Sequence, residues 1–294
     1  MKVLKATYGD KDVTDIVKSK AQSNHLMIQA SNSIFGDPQY GVPKTLSISV
    51  IEDGIVKDYS CKEESYICIP NLSKKKLGIF CSNNNNSKTK ETIAQSLKSI
   101  KTASKDTVDI ITCMWYEEPN NPFIDIRSRV TSNYGNLNHQ LQILQCLYFA
   151  TLNNPNLQYV SFLEHDVLYS EGHFDYDDFD EDYIINDNYI GLNKSGFQSQ
   201  CQKHKPLSQI TMHFNFSLKY FSHNIGLSLV YGHASVEPHW SPKYESSHKI
   251  VVNKNPNVHI NHGHSFTSHY HSFCEDTYEN DSYWGHYSQY SNLF

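Results

Sequence analysis

The 294-residue chain holds no stretch close to the ~18 consecutive apolar residues a membrane-spanning helix needs, and its mean hydropathy is −0.55. Its first residues, Met1-Lys2-Val3-Leu4-Lys5, carry charge where a secretory leader would carry its apolar run, so a cytoplasmic location is expected. Positive charge is scarce: 25 Lys and Arg stand against 31 Asp and Glu, a net charge of −6. That argues against a non-specific nucleic-acid binder and leaves room only for a local basic groove. The cysteines (Cys61, Cys68, Cys81, Cys113, Cys146, Cys201, Cys274) are odd in number, scattered, and contain no CxxC pair. A disulfide scaffold and a Cys-type zinc site are therefore disfavoured, and free thiols are expected. Neither GxGxxG nor GxxxxGK[ST] occurs, which removes the main support for dinucleotide-binding and P-loop folds. No HExxH helix and no internal repeat is present.

What is there is a core. Hydrophobic residues make up 38% and aromatics 13%, too many for a disordered chain. In the first 80 residues, β-prone runs at 3–8, 26–30, 45–50, 66–69 and 77–80 alternate with turn clusters such as Phe35-Gly36-Asp37-Pro38. This spacing predicts a small antiparallel β-sandwich over residues 1–82, with no helix of note. The polar run Asn83-Asn84-Asn85-Asn86 reads as an exposed connector, followed by a short amphipathic helix carrying Ile93, Leu97 and Ile100 on one face. Residues 83–105 are thus expected to link two domains.

From Val108 the pattern becomes α/β. The apolar runs Val108–Trp115 and Tyr159–Leu163 read as buried parallel strands. Between them a helix capped by Asn138 carries Leu141, Leu144, Leu147 and Tyr148. Tyr189–Asn193 reads as a further strand and 208–221 as a helix. The expected fold over 106–294 is an α/β domain with a mainly parallel sheet and flanking helices, preceded by the β-sandwich. The acidic segment Asp175 to Asp182 lacks the spacing of an EF-hand and reads as a solvated loop. Histidine is skewed: 12 of 16 follow residue 200, which hints at a site there or at compositional drift.

Chemistry concentrates at Glu164-His165-Asp166, directly after the second buried strand. If the backbone stays extended, Glu164 and Asp166 face one side, and two adjacent carboxylates call for a cation such as Mg2+ or Mn2+. Ligands of such sheets bind at the carboxyl ends of the strands. The block Tyr159-Val160-Ser161-Phe162-Leu163-Glu164-His165-Asp166-Val167-Leu168-Tyr169, with Gly172-His173-Phe174, resembles glycosyltransferases of the GT-A type. It is most similar to the group, frequent in phages and large viruses, whose metal motif reads EHDVLY in place of DxD. Asn255–Gly263 resembles that group's PNVDIRHG segment, with His259 and Asn261 where the group has Asp and Arg, so a role for those two does not carry over. Ala6–Gly9, Asp12-Val13-Thr14 and Ala30–Pro38 are similar to a small β module of the DUF3395 type, whose Asn32, Gly36, Asp37 and Pro38 read as turn formers.

The resemblance implies a GT-A-like fold and transfer of a sugar from a nucleotide-sugar donor to a glycan, protein or modified nucleobase. It implies Mn2+ or Mg2+ held by Asp166 and Glu164, with His262 or His264 completing the shell; the plain alternative for these two is a surface turn. Trp115 and Tyr116, at the end of the first strand, are candidates to cover a nucleobase, with plain core the alternative for Trp115. Arg127 and Arg129, among the chain's few arginines, suit a diphosphate or a salt bridge, and His165 joins the nucleotide-binding set. Glu237, beside His239 and Trp240, is the candidate base for an acceptor hydroxyl, or else an exposed turn residue. The competing reading is a non-catalytic protein that binds glycans or a protein partner, given 20 tyrosines. It leaves Glu164 and Asp166 without a task.

Overall fold

The computed structural model describes residues 1–21, 25–52, 54–69, 72–82, 87–116, 118, 121–126, 135–200, 205–231, 246–261 and 273–294. Arg127, Arg129, Glu237, His262 and His264 lie outside them. The chain forms two compact units, one mainly Met1–Leu72 and the other mainly Ser73–Phe294.

The first unit consists of β1 (Lys2–Tyr8), β2 (Lys11–Asp12), α1 (Thr14–Lys20), β3 (Leu26–Gln29), α2 (Asn32–Phe35), β4 (Thr45–Glu52), β5 (Ile55–Lys62) and β6 (Tyr66–Ile69). The four-stranded sheet β2-β1-β4-β5 and the pair β3-β6 are antiparallel throughout. In β4 the period-two alternation turns Leu46, Ile48 and Val50 inward, onto Tyr8, Val17, Leu26, Phe35 and Ile69. Helix α1 was not expected; Val17 anchors it in the core, and Asp15 and Lys18 suit the two ends of its dipole.

The residues that carry the resemblance here act as internal fasteners. Tyr8 Oη donates to Asn32 Oδ1 at 3.0 Å, Thr14 Oγ1 accepts the Ala6 N–H at 2.9 Å, and Asp12 Oδ1 accepts the Thr14 N–H at 2.9 Å. Gly36 ends α2 at φ 77°, a conformation that favours glycine. Buried Lys44 pairs with Asp37 at 2.7 Å and with Glu63 at 3.5 Å.

From Ser73 onward the chain forms β7 (Lys76–Ser82), α3 (Ser87–Ser104), β8 (Asp109–Met114), β9 (Ile124–Asp125), α4 (Gly135–Asn153), β10 (Tyr159–Leu163), β11 (Val167–Leu168), β12 (Tyr183–Asn186), β13 (Tyr189–Asn193), β14 (Gly196–Gln200), β15 (Ile210–His213), α5 (Phe214–Tyr231), β16 (His248–Val251), β17 (Asn257–Ile260), β18 (Phe273–Tyr278), β19 (Asn280–Asp281) and β20 (Gly285–His286). A seven-stranded sheet runs β16-β12-β15-β10-β7-β8-β9. β10, β7 and β8 pair in parallel, as do β12 and β16, while β15 pairs antiparallel with both its neighbours. A second sheet, β11-β17-β13-β14-β18, carries the segment after β10. The expected architecture, an antiparallel β module followed by an α/β unit with a mainly parallel sheet, is the one observed.

Several local expectations fail. β7 does not close the N-terminal sheet; it is the strand between β10 and β8. Six consecutive buried residues, Leu77 to Ser82, suit a strand covered on both faces, and Gly78 leaves room for Ile110 and Leu163, whose Cδ1 atoms lie 2.6 and 2.9 Å from where a Cβ would stand. α3 is not a linker: Ile93, Leu97 and Ile100 do form its buried face, but against the α/β unit. Asn138 lies inside α4, not at its cap, and Tyr148 is exposed, because the inward face is shared by Gln142, Ile143, Cys146 and Leu147. Part of 208–221 is strand β15, not helix. Cys61, Cys68, Cys81, Cys113 and Cys146 are free thiols as expected, whereas Cys274, on β18, is disulfide-bonded. No helix among the described residues is long and apolar enough to cross a membrane.

The Lys44 cluster generates a pH dependence. The Lys44 backbone N–H and ammonium hold the Glu63 carboxyl below its ordinary range, and the Asp37 carboxylate raises Lys44. A depressed carboxyl contributes stability above its unfolded value, about 4.3, and loses it as pH falls through the folded value. Glu63→Gln is expected to lower the thermal midpoint at neutral pH and to flatten the acid limb of midpoint against pH. An acid limb identical to wild type would contradict the assignment.

Candidate functional site

Three parallel strands set the stage. Leu163 of β10 is level with Phe80 of β7, and Phe80 with Thr112 of β8, so their carboxyl ends open along one edge. Glu164 follows β10 there, and Trp115 follows β8, two strand spacings or about 9.6 Å across the sheet. Trp115 is 38% exposed, which removes the plain-core alternative for it; Tyr116 is half-buried. α4 is fastened to this edge from behind, the Gln142 amide donating to the Cys113 carbonyl at 2.9 Å.

The segment after β10 does not stay extended. It turns at His165-Asp166 and resumes as β11, so the simple i, i+2 alternation expected for Glu164 and Asp166 does not apply. The turn is fixed instead by hydrogen bonds from three sides. Across its own loop, the Glu164 N–H donates to Tyr169 Oη at 2.7 Å. From α3, Ser96 Oγ donates to the His165 carbonyl at 2.8 Å, and Ser99 Oγ, one turn on, accepts the Tyr169 N–H at 3.0 Å. From β17, the Ile260 N–H donates to the Asp166 carbonyl at 2.8 Å, and β11 pairs Val167 with His259 and Leu168 with Val258.

The charges of this turn act on one another. Asp166 is buried, Glu164 and His165 half-buried. Burial, then the negative charge of Glu164 and, more weakly, of Asp166, pushes the Tyr169 phenol well above its ordinary 10, so it stays protonated. On α4, burial lowers His139 to about 4; His165 opposes its protonation further, and Asp166 favours it. Glu164, His165, Asp166, Tyr169 and His139 therefore share one electrostatic neighbourhood. The donor chemistry of the two carboxylates fits a hard divalent cation. Among the described residues, no group of three His, Cys, Asp or Glu side chains is arranged to hold a metal, and the candidates His262 and His264 lie outside them. The acidic segment from Asp175 likewise forms no such group; its Asp182 carboxylate accepts from the Ser247 N–H at 2.8 Å.

Sequence reasoning found Glu164, Asp166 and Trp115 on this edge and missed Ser96, Ser99, Tyr169 and His139. The three on α3 and α4 are polar residues on helices that had been read for apolar periodicity alone. Tyr169 carries no charge that would set it apart in the sequence from the other aromatics near the acids. His259, opposite Val167, is buried and bonded to Gln209 at 3.1 Å, and the Asn261 N–H donates to the Leu192 carbonyl.

No family model and no curated protein matches this sequence. Among solved structures, the chain is similar to a glycosyltransferase involved in the glycosylation of the major capsid of PBCV-1, at 8% identity and a TM-score of 0.36, over 62% of this chain and 91% of that one. It is also similar to an active-site mutant of LgtC (13% identity, TM-score 0.35, 60% of this chain and 72% of that one). A third is the galactosyltransferase LgtC with donor and acceptor sugar analogs (15%, TM-score 0.31, 53% and 65%). These likenesses are distant.

Tyr169→Phe removes the acceptor of the Glu164 N–H at a half-buried turn. It is expected to cost about 1–3 kcal/mol in urea unfolding, the range for a buried polar group left unpaired. Stability equal to wild type would mean that the hydroxyl does not fasten the turn.

Proposed function

We infer that this chain is a metal-dependent glycosyltransferase of GT-A-like architecture, moving a sugar from a nucleotide-sugar donor to a glycan, protein or modified nucleobase. One observation carries the reading: two acidic residues, Glu164 and Asp166, are held on a turn fastened from three sides at the carboxyl edge of a mainly parallel sheet, the edge on which exposed Trp115 also lies, two strands away. A turn fixed so firmly and bearing two acids suits a charged ligand. The likeness of the 159–169 block to the EHDVLY glycosyltransferases points the same way.

In this reading Asp166 holds Mn2+ or Mg2+, with Glu164 beside it and His262 or His264 completing the shell; one imidazole among oxygens favours Mn2+. A bound divalent ion supplies Lewis-acid compensation for the charge that grows on the donor's β-phosphate. The rest falls to the chain. Trp115 and Tyr116 cover the nucleobase, Arg127 or Arg129 takes the diphosphate in a bidentate grip, and His165 adds a contact from the turn. Glu237 accepts the proton of the acceptor hydroxyl as its oxygen bonds to the sugar carbon and the nucleoside diphosphate departs. Tyr169, kept protonated, cannot compete with the carboxylates for the ion.

Asp166→Ala is expected to abolish Mn2+-dependent thermal stabilisation by nucleoside diphosphates while the protein stays folded. Once a donor is found, the rate should fall roughly 10²–10⁴-fold, the several kcal/mol a metal contributes to leaving-group departure. Wild-type metal affinity and activity in Asp166→Ala would overturn the mechanism. If Asp166 matters while His262→Ala and His264→Ala are both silent, only the histidine assignment fails.

A further inference from the structure

Behind the fastened turn lies a polar network that the proposed chemistry does not use. Its centre is Asn257, at the start of β17, fully buried. Its amide reaches three other residues. Oδ1 accepts from the Ser170 N–H at 3.0 Å, with Ser170 Oγ 3.2 Å away. Nδ2 donates to Gln209 Oε1 at 2.8 Å and to His173 Nδ1 at 2.9 Å. Both N–H donors of the amide are used and its oxygen accepts a backbone N–H, so its orientation is unambiguous.

The network's polarity follows outward from there. Gln209 Oε1 also accepts from the Asn186 amide at 3.0 Å, so Gln209 Nε2 is the donor toward His259 Nε2 at 3.1 Å. His259 therefore carries its proton on Nδ1. His173, an acceptor at Nδ1, carries its own on Nε2 and is neutral, burial lowering it to about 3. The one Ser170 hydroxyl proton goes to the Asn255 carbonyl at 2.9 Å, the shorter of its two contacts. Four segments that are distant in sequence (170–173, 186, 209 and 255–259) are thus joined through uncharged groups in a buried setting, where each bond lost leaves a partner unsatisfied.

The network fastens one end of the strap 167–173, and the strap's other end is Asp166. β11 alone supplies only two residue pairs with β17, Val167 with His259 and Leu168 with Val258. The Asn257–Ser170 contact extends that attachment two residues beyond Leu168. We propose that Asn257 is a positioning residue for the Glu164–Asp166 site: it sets where the strap runs, and so where the Asp166 carboxylate stands, without touching the ligand. Gln209 and Ser170 serve the same role through it. This rests on the reading of Asp166 as the metal–diphosphate residue given above.

The test uses the full-length protein, with Mn2+ and inorganic pyrophosphate as the probe, titrated calorimetrically at a temperature where each variant is folded by circular dichroism. Asn257→Ala is expected to weaken Mn2+–pyrophosphate binding tenfold or more. Phe179→Leu, in the small cluster with Tyr159 and Ile184 at the amino end of β10, serves as a control for general destabilisation and should bind as wild type. Should Asn257→Ala not fold, Ser170→Ala, which removes one hydroxyl, should still weaken binding several-fold. Wild-type affinity in a folded Asn257→Ala, or in Ser170→Ala when the first does not fold, overturns the proposal. So does an equal loss in Phe179→Leu, which would mean that stability alone is being read. Asp166→Ala, run in parallel, separates the two levels. If it binds as wild type, the reading of the site itself fails; if it does not bind and Asn257→Ala does, only the positioning role fails.

Discussion

The side-chain amide of Asn257 commits its oxygen and both its N–H donors to parts of the chain that are remote in sequence. Around it the second sheet meets the strap that leaves the large one, and through it both agree on where the acidic turn sits. The constraint is geometric before it is energetic. A neutral hydrogen bond is worth only ~0.5–1.5 kcal/mol net, but a buried one fixes direction, because the alternative is an unsatisfied donor or acceptor. The same logic operates on the other side of the turn, where Ser96 and Ser99 of α3 present hydroxyls to the His165 carbonyl and the Tyr169 N–H.

These fasteners give the acidic turn a rigid frame built from rigid elements. β10 is buried along its whole length between β7 and β15, and Ser161 Oγ is bonded to Thr211 Oγ1 at 2.7 Å across to β15. Gly78 of β7 lets Leu163, the last residue before the turn, pack closely over it. Burial of Asp166 and the raised phenol of Tyr169 then follow from the packing: two acidic residues on a turn at a sheet edge, partly withdrawn from water, both acting on a protonated phenol. Such a place interacts strongly with whatever positive charge enters it, because the local dielectric is low.

Much of the frame was legible in the sequence, and the reasons it was legible are physical. β8, β10 and β13 are apolar runs of strand length; the face of Ile93, Leu97 and Ile100 follows helical spacing. What was lost was lost where burial and polarity part company. β7 reads like any short β-prone run, and only its unbroken burial assigns it to the large sheet. α4 buries Asn138, Gln140 and Gln142 beside Ile143, Cys146 and Leu147, so the set Leu141, Leu144, Leu147 and Tyr148 traces the wrong face. β15 follows the buried polar pair Ser208-Gln209 and precedes a long helix, so periodicity merges the two. At the site, Glu164 and Asp166 were visible because charge after a buried strand is conspicuous. Asn257, Gln209 and Ser170 were not, because an amide or hydroxyl that ends up wholly buried looks, in sequence, like one at the surface.

The central claim is that the fastened turn holds a divalent cation together with a diphosphate. Crystals grown with Mn2+ and a nucleoside diphosphate, measured with X-rays at the manganese absorption edge, test it most directly. The account predicts one strong anomalous peak within coordinating distance of an Asp166 carboxylate oxygen, with the diphosphate on its far side and the base toward Trp115. Manganese and nucleotide bound together at some other place, with the Asp166 carboxylate free of both, would contradict it.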